Sequence, residues 1–284
     1  MITWFSDLDR YVDAVERIRP RAHAIEGLLE KHQTVHGYCS NCESMMNFQV
    51  STGTWLGQYS NLRDGMRCLG CGMNNRGRFL LDALLETTTV PKTASVALLE
   101  ALSPLRDSIA RRFPKISCSE FFGRDKRPGE IVEFRERRVA HEDATRLSYP
   151  DASFDLFCHN DVLEHVYDYR RALGEMRRVI RPGGTLLFGV PFFYDLAHTQ
   201  VRGLESEDGS IEHLEEPEYH GDGVRSSGIY TFYHYGRDFP DAIRSAGFAT
   251  VEIGLAYDVF FGYVSNNSRY GGHGFMMPTV FRAR

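Results

Sequence analysis

Nowhere in this chain do apolar residues run on for the roughly 20 positions that a membrane-spanning helix needs. Its N-terminus also lacks the basic, apolar and small-residue succession of a secretory signal. The expectation is a cytoplasmic protein with no membrane partner. Charge of one sign is equally scarce: 33 Lys and Arg against 38 Asp and Glu leave a formal net charge of -5. No overall basicity draws the chain to a phosphate backbone, so nucleic acid is not the default partner. Cysteine is sparse as well, six in 284 residues, too few for the dense cross-linking of small secreted domains. Cys118 and Cys158 lie inside apolar, strand-like runs, where a reduced thiol serves as a small core residue. What remains, 42% hydrophobic and 25% charged residues, is an ordinary globular composition with room for one large domain and a small module.

The other four cysteines come in two C-x-x-C pairs, Cys39-Ser40-Asn41-Cys42 and Cys68-Leu69-Gly70-Cys71. Zinc takes about four soft donors in a tetrahedron, and each pair supplies two thiolates from one tight turn. The spacing predicts a structural Zn2+ ribbon held by Cys39, Cys42, Cys68 and Cys71. A metal cross-link is wanted there because residues 1–90 hold little apolar material of their own. Apolar positions between Phe5 and His32 recur near helical spacing and are interrupted by Pro20, which predicts two short helices within a leading segment 1–35. The ribbon follows over 36–90, with short strands around Met46–Val50 and Trp55–Tyr59, a turn at Ser51-Thr52-Gly53 and a connecting helix over Arg76–Leu85.

Past Pro91 the pattern changes to apolar strands alternating with amphipathic helices, the form of a parallel sheet covered on both faces. Strands are expected at Ser95–Leu99, Ile116–Ser119, Phe154–Cys158, Thr185–Val190, Thr250–Ala256 and Phe275–Phe281, with helices at Leu105–Phe113, Arg170–Ile180 and Phe239–Ala246. Residues 192–233 have no clear period and are rich in acids, Gly, Tyr and His, as an insertion that covers one edge of the sheet would be.

Three stretches carry a family resemblance: Pro150-Asp151-Ala152-Ser153-Phe154-Asp155-Leu156, Asp161-Val162-Leu163-Glu164-His165-Val166, and Val179-Ile180-Arg181-Pro182-Gly183-Gly184-Thr185-Leu186. In order and spacing they resemble the fourth-to-fifth-strand region of class I S-adenosylmethionine-dependent methyltransferases (type 11-like). The resemblance extends over about 91–284. It implies an α/β, Rossmann-like seven-stranded sheet with its last strand antiparallel and S-adenosylmethionine lying across the carboxyl ends of the strands. The first turn departs from the family: Glu100 supplies the usual acid, but Ala101-Leu102-Ser103 replace the glycines, a degenerate motif whose side chains force another approach to the cofactor or weaken its binding. Carried over position by position, the resemblance places Glu100 and Ala101 at the first turn, and Glu120 at the ribose hydroxyls. It sets Asp143 and Ala144 at the adenine, with Glu142 as an exposed neighbour, and Asn160 and Asp161 near the methionine moiety.

Methyl transfer to a hydroxyl, amine or carbon acid also requires a base. The insertion offers His198, His213, Tyr219 and His220, densest at Glu218-Tyr219-His220-Gly221-Asp222; His220 is the best single choice, with Tyr219 beside it and His165 at the cleft. His213 and His220 lack the helical spacing of a metal pair, and His234 and Tyr235 read as packing residues. A ribbon in front of such a domain resembles sugar C-methyltransferases and some ribosomal RNA methyltransferases. Arg63, Arg67, Arg76 and Arg78 beside the cysteines would suit RNA or a nucleotide-linked substrate. The acidic total and the His- and Tyr-rich insertion favour a small, polar, biosynthetic metabolite, in a monomer or homodimer. RNA methylation through the ribbon and a non-catalytic binding module are the alternatives.

Overall fold

The structure, a computed structural model, describes residues 2–50, 55–56, 59–206, 208–269 and 274–284; the turn expected at Ser51-Thr52-Gly53 lies outside them. The strands of the main sheet are β1 (Thr3–Phe5), β2 (Ser95–Leu98), β3 (Lys115–Glu120), β4 (Ile131–Phe134), β5 (Arg137–His141), β6 (Phe154–Asn160), β7 (Ile180–Gly189), β8 (Val251–Leu255) and β9 (Thr279–Ala283). The helices are α1 (Leu8–Leu29), α2 (Leu62–Gly65), α3 (Asn75–Thr87), α4 (Pro104–Ala110), α5 (Tyr169–Val179) and α6 (Phe239–Ser245).

Across the sheet the order is β1-β8-β9-β7-β6-β2-β3-β5-β4. The five central strands pair in parallel, and β9 runs antiparallel to both β7 and β8. The sheet is therefore the expected α/β sheet with its last strand antiparallel, but with nine strands rather than seven. Each edge gains one antiparallel strand: β1, from the N-terminus, pairs with β8, and β4 forms a hairpin with β5. That hairpin turns on Arg135 and Glu136 alone, with φ of 48° and 62°. This is the left-handed two-residue turn that Asn-Gly usually makes.

Successive residues of β6 face opposite sides, as a strand period of two requires. Phe157 packs with Leu173, Met176, Phe188, Phe239 and Phe281 on one face. Leu156 and Cys158 pack with Phe79, Leu80, Leu105 and Leu187 on the other. α3, the expected connecting helix, thus lies on the main sheet. The two helices expected before the ribbon are one, α1, which runs straight through Pro20. A proline costs the helix one hydrogen bond and a local clash. The buried stripe Tyr11, Val15, Ala22, Glu26 and Leu29 continues across it, and packing of that stripe carries the helix through.

In the ribbon Ser44–Gln49 is central and pairs antiparallel with Thr34–Cys39 on one side and Arg67–Cys68 on the other. Phe48, Leu62, Met66 and Val264 fill its small core. The insertion is not featureless: residues 200–201 pair with 233–234, 203–205 with 211–213, and 219–220 with 229–230. No helix among the described residues is long and apolar enough to cross a membrane.

Arg181-Pro182-Gly183-Gly184 bulges out of β7 opposite Asp155, whose carboxylate receives Arg181 at 2.8 Å. A Cβ on Gly184 would come within 2.7 Å of Ile180 and 2.8 Å of the Asp155 carbonyl. Gly184→Ala is expected to cost about 1–3 kcal/mol, read as a lower urea midpoint with unchanged slope.

Candidate functional site

In a parallel sheet a ligand crevice opens beyond the carboxyl ends of the strands at the point where strand order reverses. Here that point lies between β2 and β6, and a cleft of about 1990 Å3 opens there. Ligand sites usually measure about 300–1,000 Å3, so the cleft has room for two molecules. Of the positions singled out above, Glu100, Glu120, Asp143, Ala144, Asn160 and Asp161 line it. Ala101 is buried behind them and donates its N–H to Glu120 at 3.3 Å. Residues 100–103 contain no left-handed backbone, so the turn closes without the freedom of glycine. Ser103 caps α4 through the Leu105 N–H, and Pro104 occupies the first turn. Leu102 and Ser103 form part of the wall and leave the cleft open.

Several carboxyls in the cleft await donors. Burial, and then the neighbouring Glu100, pushes Glu120 up to about 7. Burial also raises Glu100, whose Oε2 has no hydrogen-bond partner. The Asn160 Oδ1 is likewise buried and unpartnered. Asp143 spends Oδ1 on the Thr145 N–H and hydroxyl at 2.8 and 2.7 Å. Glu142, expected to be exposed, is buried instead and accepts the Ser148 N–H at 2.8 Å.

Asp161 is committed to cations. Arg63 from α2 donates to both its oxygens at 3.1 and 2.8 Å, and Arg76 from α3 donates to Oδ2. Asp64 balances the charge, 2.8 Å from Arg76. Burial alone would raise Asp161, but the two guanidiniums hold it well below the usual carboxylate range. Arg78 is fully buried, donating to the carbonyls of Met73 and Gly262 at 2.9 and 3.0 Å with its guanidinium 4.4 Å over the Phe48 ring. Of the four arginines beside the cysteines, only Arg67 faces solvent.

The insertion is pinned over the loop after β6. Phe232 N–H donates to the Glu164 carbonyl at 2.8 Å, and His165 Nδ1 donates to the Tyr230 carbonyl at 2.8 Å. Burial, and then the nearby His220, lowers His165 to about 4, so it is neutral. The His220 ring stands edge-on to His165 at 4.9 Å and donates from Nε2 to Glu218 at 2.8 Å. His234, expected to be mere packing, donates to the other Glu218 oxygen at 2.9 Å while stacked on Phe193. Burial works against the Glu218 anion, yet these two imidazoles hold its carboxyl far below the ordinary range. Tyr219 lies next to His220 on a two-residue strand, where neighbours point to opposite faces; it is 55% exposed and rests on Tyr230. His198 and His213 face solvent. Sequence reasoning passed over Glu164 and the inward roles of Arg63 and Arg76. The one available signal was that the arginines flank the second cysteine pair at equal distances, five residues before Cys68 and five after Cys71.

At the far end of the ribbon the four cysteine sulfurs converge. Cys39 to Cys71 and Cys42 to Cys68 both measure 3.8 Å, and all four lie within 4.8 Å of one another.

Residues 114–188 match a family described as a methyltransferase domain. A demethylmenaquinone methyltransferase of Deinococcus radiodurans is 32% identical over 117 residues, 34% of this chain and 48% of its own. A malonyl-[acyl-carrier protein] O-methyltransferase of Serratia marcescens is 37% identical over 68 residues, 22% of this chain and 27% of its own. The chain thus spans less than half the length of these curated relatives. A solved S-adenosylmethionine-dependent methyltransferase of Mesorhizobium loti is 14% identical and covers 72% of this chain and 98% of its own, with a TM-score of 0.41.

The cleft is chemically suited to S-adenosylmethionine. That molecule carries a ribose diol, an ammonium and a sulfonium, all donors or cations, and it would meet Glu100 and Asn160, which have acceptor atoms without partners, and Glu120, which accepts the Ala101 N–H. Ribose hydroxyls would donate to Glu120 in its ionised form, whereas the free cleft holds this group protonated below about pH 7. Cofactor binding is therefore expected to tighten as pH rises through that value and to release a proton. Calorimetry in buffers of different ionisation enthalpy reads the proton, and Glu120→Gln is expected to flatten the dependence.

Proposed function

We propose that this protein moves a methyl group from S-adenosylmethionine to a small, polar metabolite held beneath the insertion, with His220 as the base. When bound, the cofactor supplies an electrophilic methyl group on a sulfonium; the chain's own residues orient the acceptor, exclude water and take its proton. The observation that carries this reading is the Glu218–His220 pair at the mouth of the cleft. Glu218 stays ionised and fixes the proton of His220 on Nε2, which leaves the lone pair on Nδ1 of a ring that lines the cleft. An imidazole oriented by a carboxylate in this way is a competent general base. Tyr230 and Phe232 wall off the same region from water. A small acceptor is favoured over RNA because Arg63, Arg76 and Arg78 are tied inward. Sugar- and nucleotide-linked metabolites fit the same description.

The four cysteines are read as a structural zinc site. Thiolates bonded to zinc at about 2.3 Å in a tetrahedron stand about 3.8 Å apart, the spacing found for two of the pairs. Four thiolates leave no open position, so the ion would support structure. Because α2 precedes the second cysteine pair and α3 follows it, the ion also holds Arg63 and Arg76 on Asp161.

Two outcomes are expected. His220→Ala should lower kcat by about 10²- to 10⁴-fold with cofactor affinity unchanged, and Glu218→Gln should follow it less steeply; product formation with radiolabelled cofactor over a panel of hydroxyl, amine and carbon acceptors reads both. Should His220→Ala retain full turnover, the base lies elsewhere. Removal of one zinc per chain, or Cys42→Ser, should lower the melting temperature and weaken cofactor binding by about tenfold or more, equivalent to about 1.4 kcal/mol, as measured by calorimetry.

A further inference from the structure

Glu164 is wholly buried, and neither of its carboxylate oxygens has a hydrogen-bond partner. Its Oε1 lies 3.7 Å from His165 Nε2 and 4.0 Å from His220 Nδ1. These nitrogens carry lone pairs, because each ring has committed its proton on the far side: His165 Nδ1 to the Tyr230 carbonyl and His220 Nε2 to Glu218, both at 2.8 Å. Three lone-pair donors therefore converge where the fully buried Glu164 meets His165 and the partly exposed His220 at the cleft wall. The separations are too long for direct hydrogen bonds. They approach those of ligands around an ion bonded at about 2.0–2.2 Å, which stand roughly 3–4 Å apart. Imidazoles oriented from behind by a carbonyl and a carboxylate are the usual outer arrangement of a metal site. The neighbouring Arg63, Arg76, Asp64 and Asp161 cancel in charge; burial favours the protonated form of Glu164, and an entering cation would displace that proton as it takes the carboxylate.

We propose that Glu164, His165 and His220 form a second metal site, separate from the cysteine cluster, that takes one divalent first-row transition ion through the Glu164 carboxylate, His165 Nε2 and His220 Nδ1. Two imidazoles and one carboxylate select such an ion over magnesium or calcium, which prefer all-oxygen sites. The site does not depend on the methyl-transfer reading, but the effect of occupancy does: His220 Nδ1 cannot hold an ion and accept a proton at once, so loading switches the base off.

The test is titration of protein whose cysteines already hold zinc with cobalt(II), in the absence of cofactor and acceptor. One further equivalent is expected, with the weak visible bands of a nitrogen- and oxygen-ligated ion and without intense thiolate charge-transfer absorption. Glu164→Gln and His165→Gln, near-isosteric changes verified as folded by circular dichroism, should each weaken that equivalent at least about tenfold, and Glu218→Gln should weaken it by about tenfold through the ring it orients. Absence of a second equivalent at about millimolar cobalt overturns the site, as does one with thiolate bands or one indifferent to both Gln variants. Turnover is read separately. Inhibition by cobalt in the wild type supports the switch; full turnover with the site loaded overturns it. A protein that binds the ion but, when free of it, methylates no acceptor keeps the site and refutes the role of His220 as base.

Discussion

Asp161 directly follows the strand that borders the reversal of the sheet, and two guanidiniums from the ribbon side of the chain, 98 and 85 residues away in sequence, reach it there. Its backbone is left-handed, φ 47°, a conformation that Asp tolerates better than most residues, and its N–H is tied to the Gly189 carbonyl at 2.8 Å. A buried ion pair is near break-even in stability when complete, yet removal of one partner costs about 3–5 kcal/mol. The cluster therefore acts mainly as a geometric lock. It fixes where α2 and α3 sit against the carboxyl ends of the strands, and it closes one end of the cleft with a charge-balanced wall. The cysteine cluster, the acids of the cleft and the histidines of the insertion keep their relative places because this joint holds.

The acids around the cleft fall into two populations. Asp161 and Glu218 have cationic or N–H partners within the chain and are held ionised. Glu100, Glu120 and Glu164 are raised by burial, and Glu100 and Glu164 have oxygens with no partner at all. A buried polar atom without a partner costs on the order of 1–3 kcal/mol, a cost that folding alone does not recover. The first population builds the site; the second is what the site offers to ligands.

Much of the central architecture was legible in the sequence because its signals are local. Apolar runs marked β2, β3, β6 and β7, amphipathic spacing marked α5, and the C-x-x-C pairs marked sulfurs that do converge. The edge strands were illegible for physical reasons. β1 is three residues long and acquires strand character only from its pairing with β8. The β4–β5 hairpin turns on Arg135-Glu136, which carries none of the Asn-Gly chemistry that announces such a turn. Pro20 reads as a helix break, but the break is decided by packing on both sides of it. Glu120 and Asn160 end β3 and β6, a local feature, and the resemblance put them and Asp143 at the cleft whose wall they share. The partners of Glu164 could not be placed, because His220 arrives on a hairpin whose pairing with residues 229–230 has no periodic signature.

The same distinction accounts for the four arginines. As a string, Arg63, Arg67, Arg76 and Arg78 read as a basic patch, because sequence counts charges but cannot see which face they occupy. The ribbon's chain reversal turns three of them toward carboxylates and carbonyls of the larger domain. A guanidinium turned inward in that way is directed at the chain's own acceptors rather than at a phosphate in solvent. An arginine-rich ribbon can therefore serve its own protein's cleft rather than an external polyanion, and the deciding quantity is the number of acceptors within hydrogen-bond reach, not the net charge of the segment.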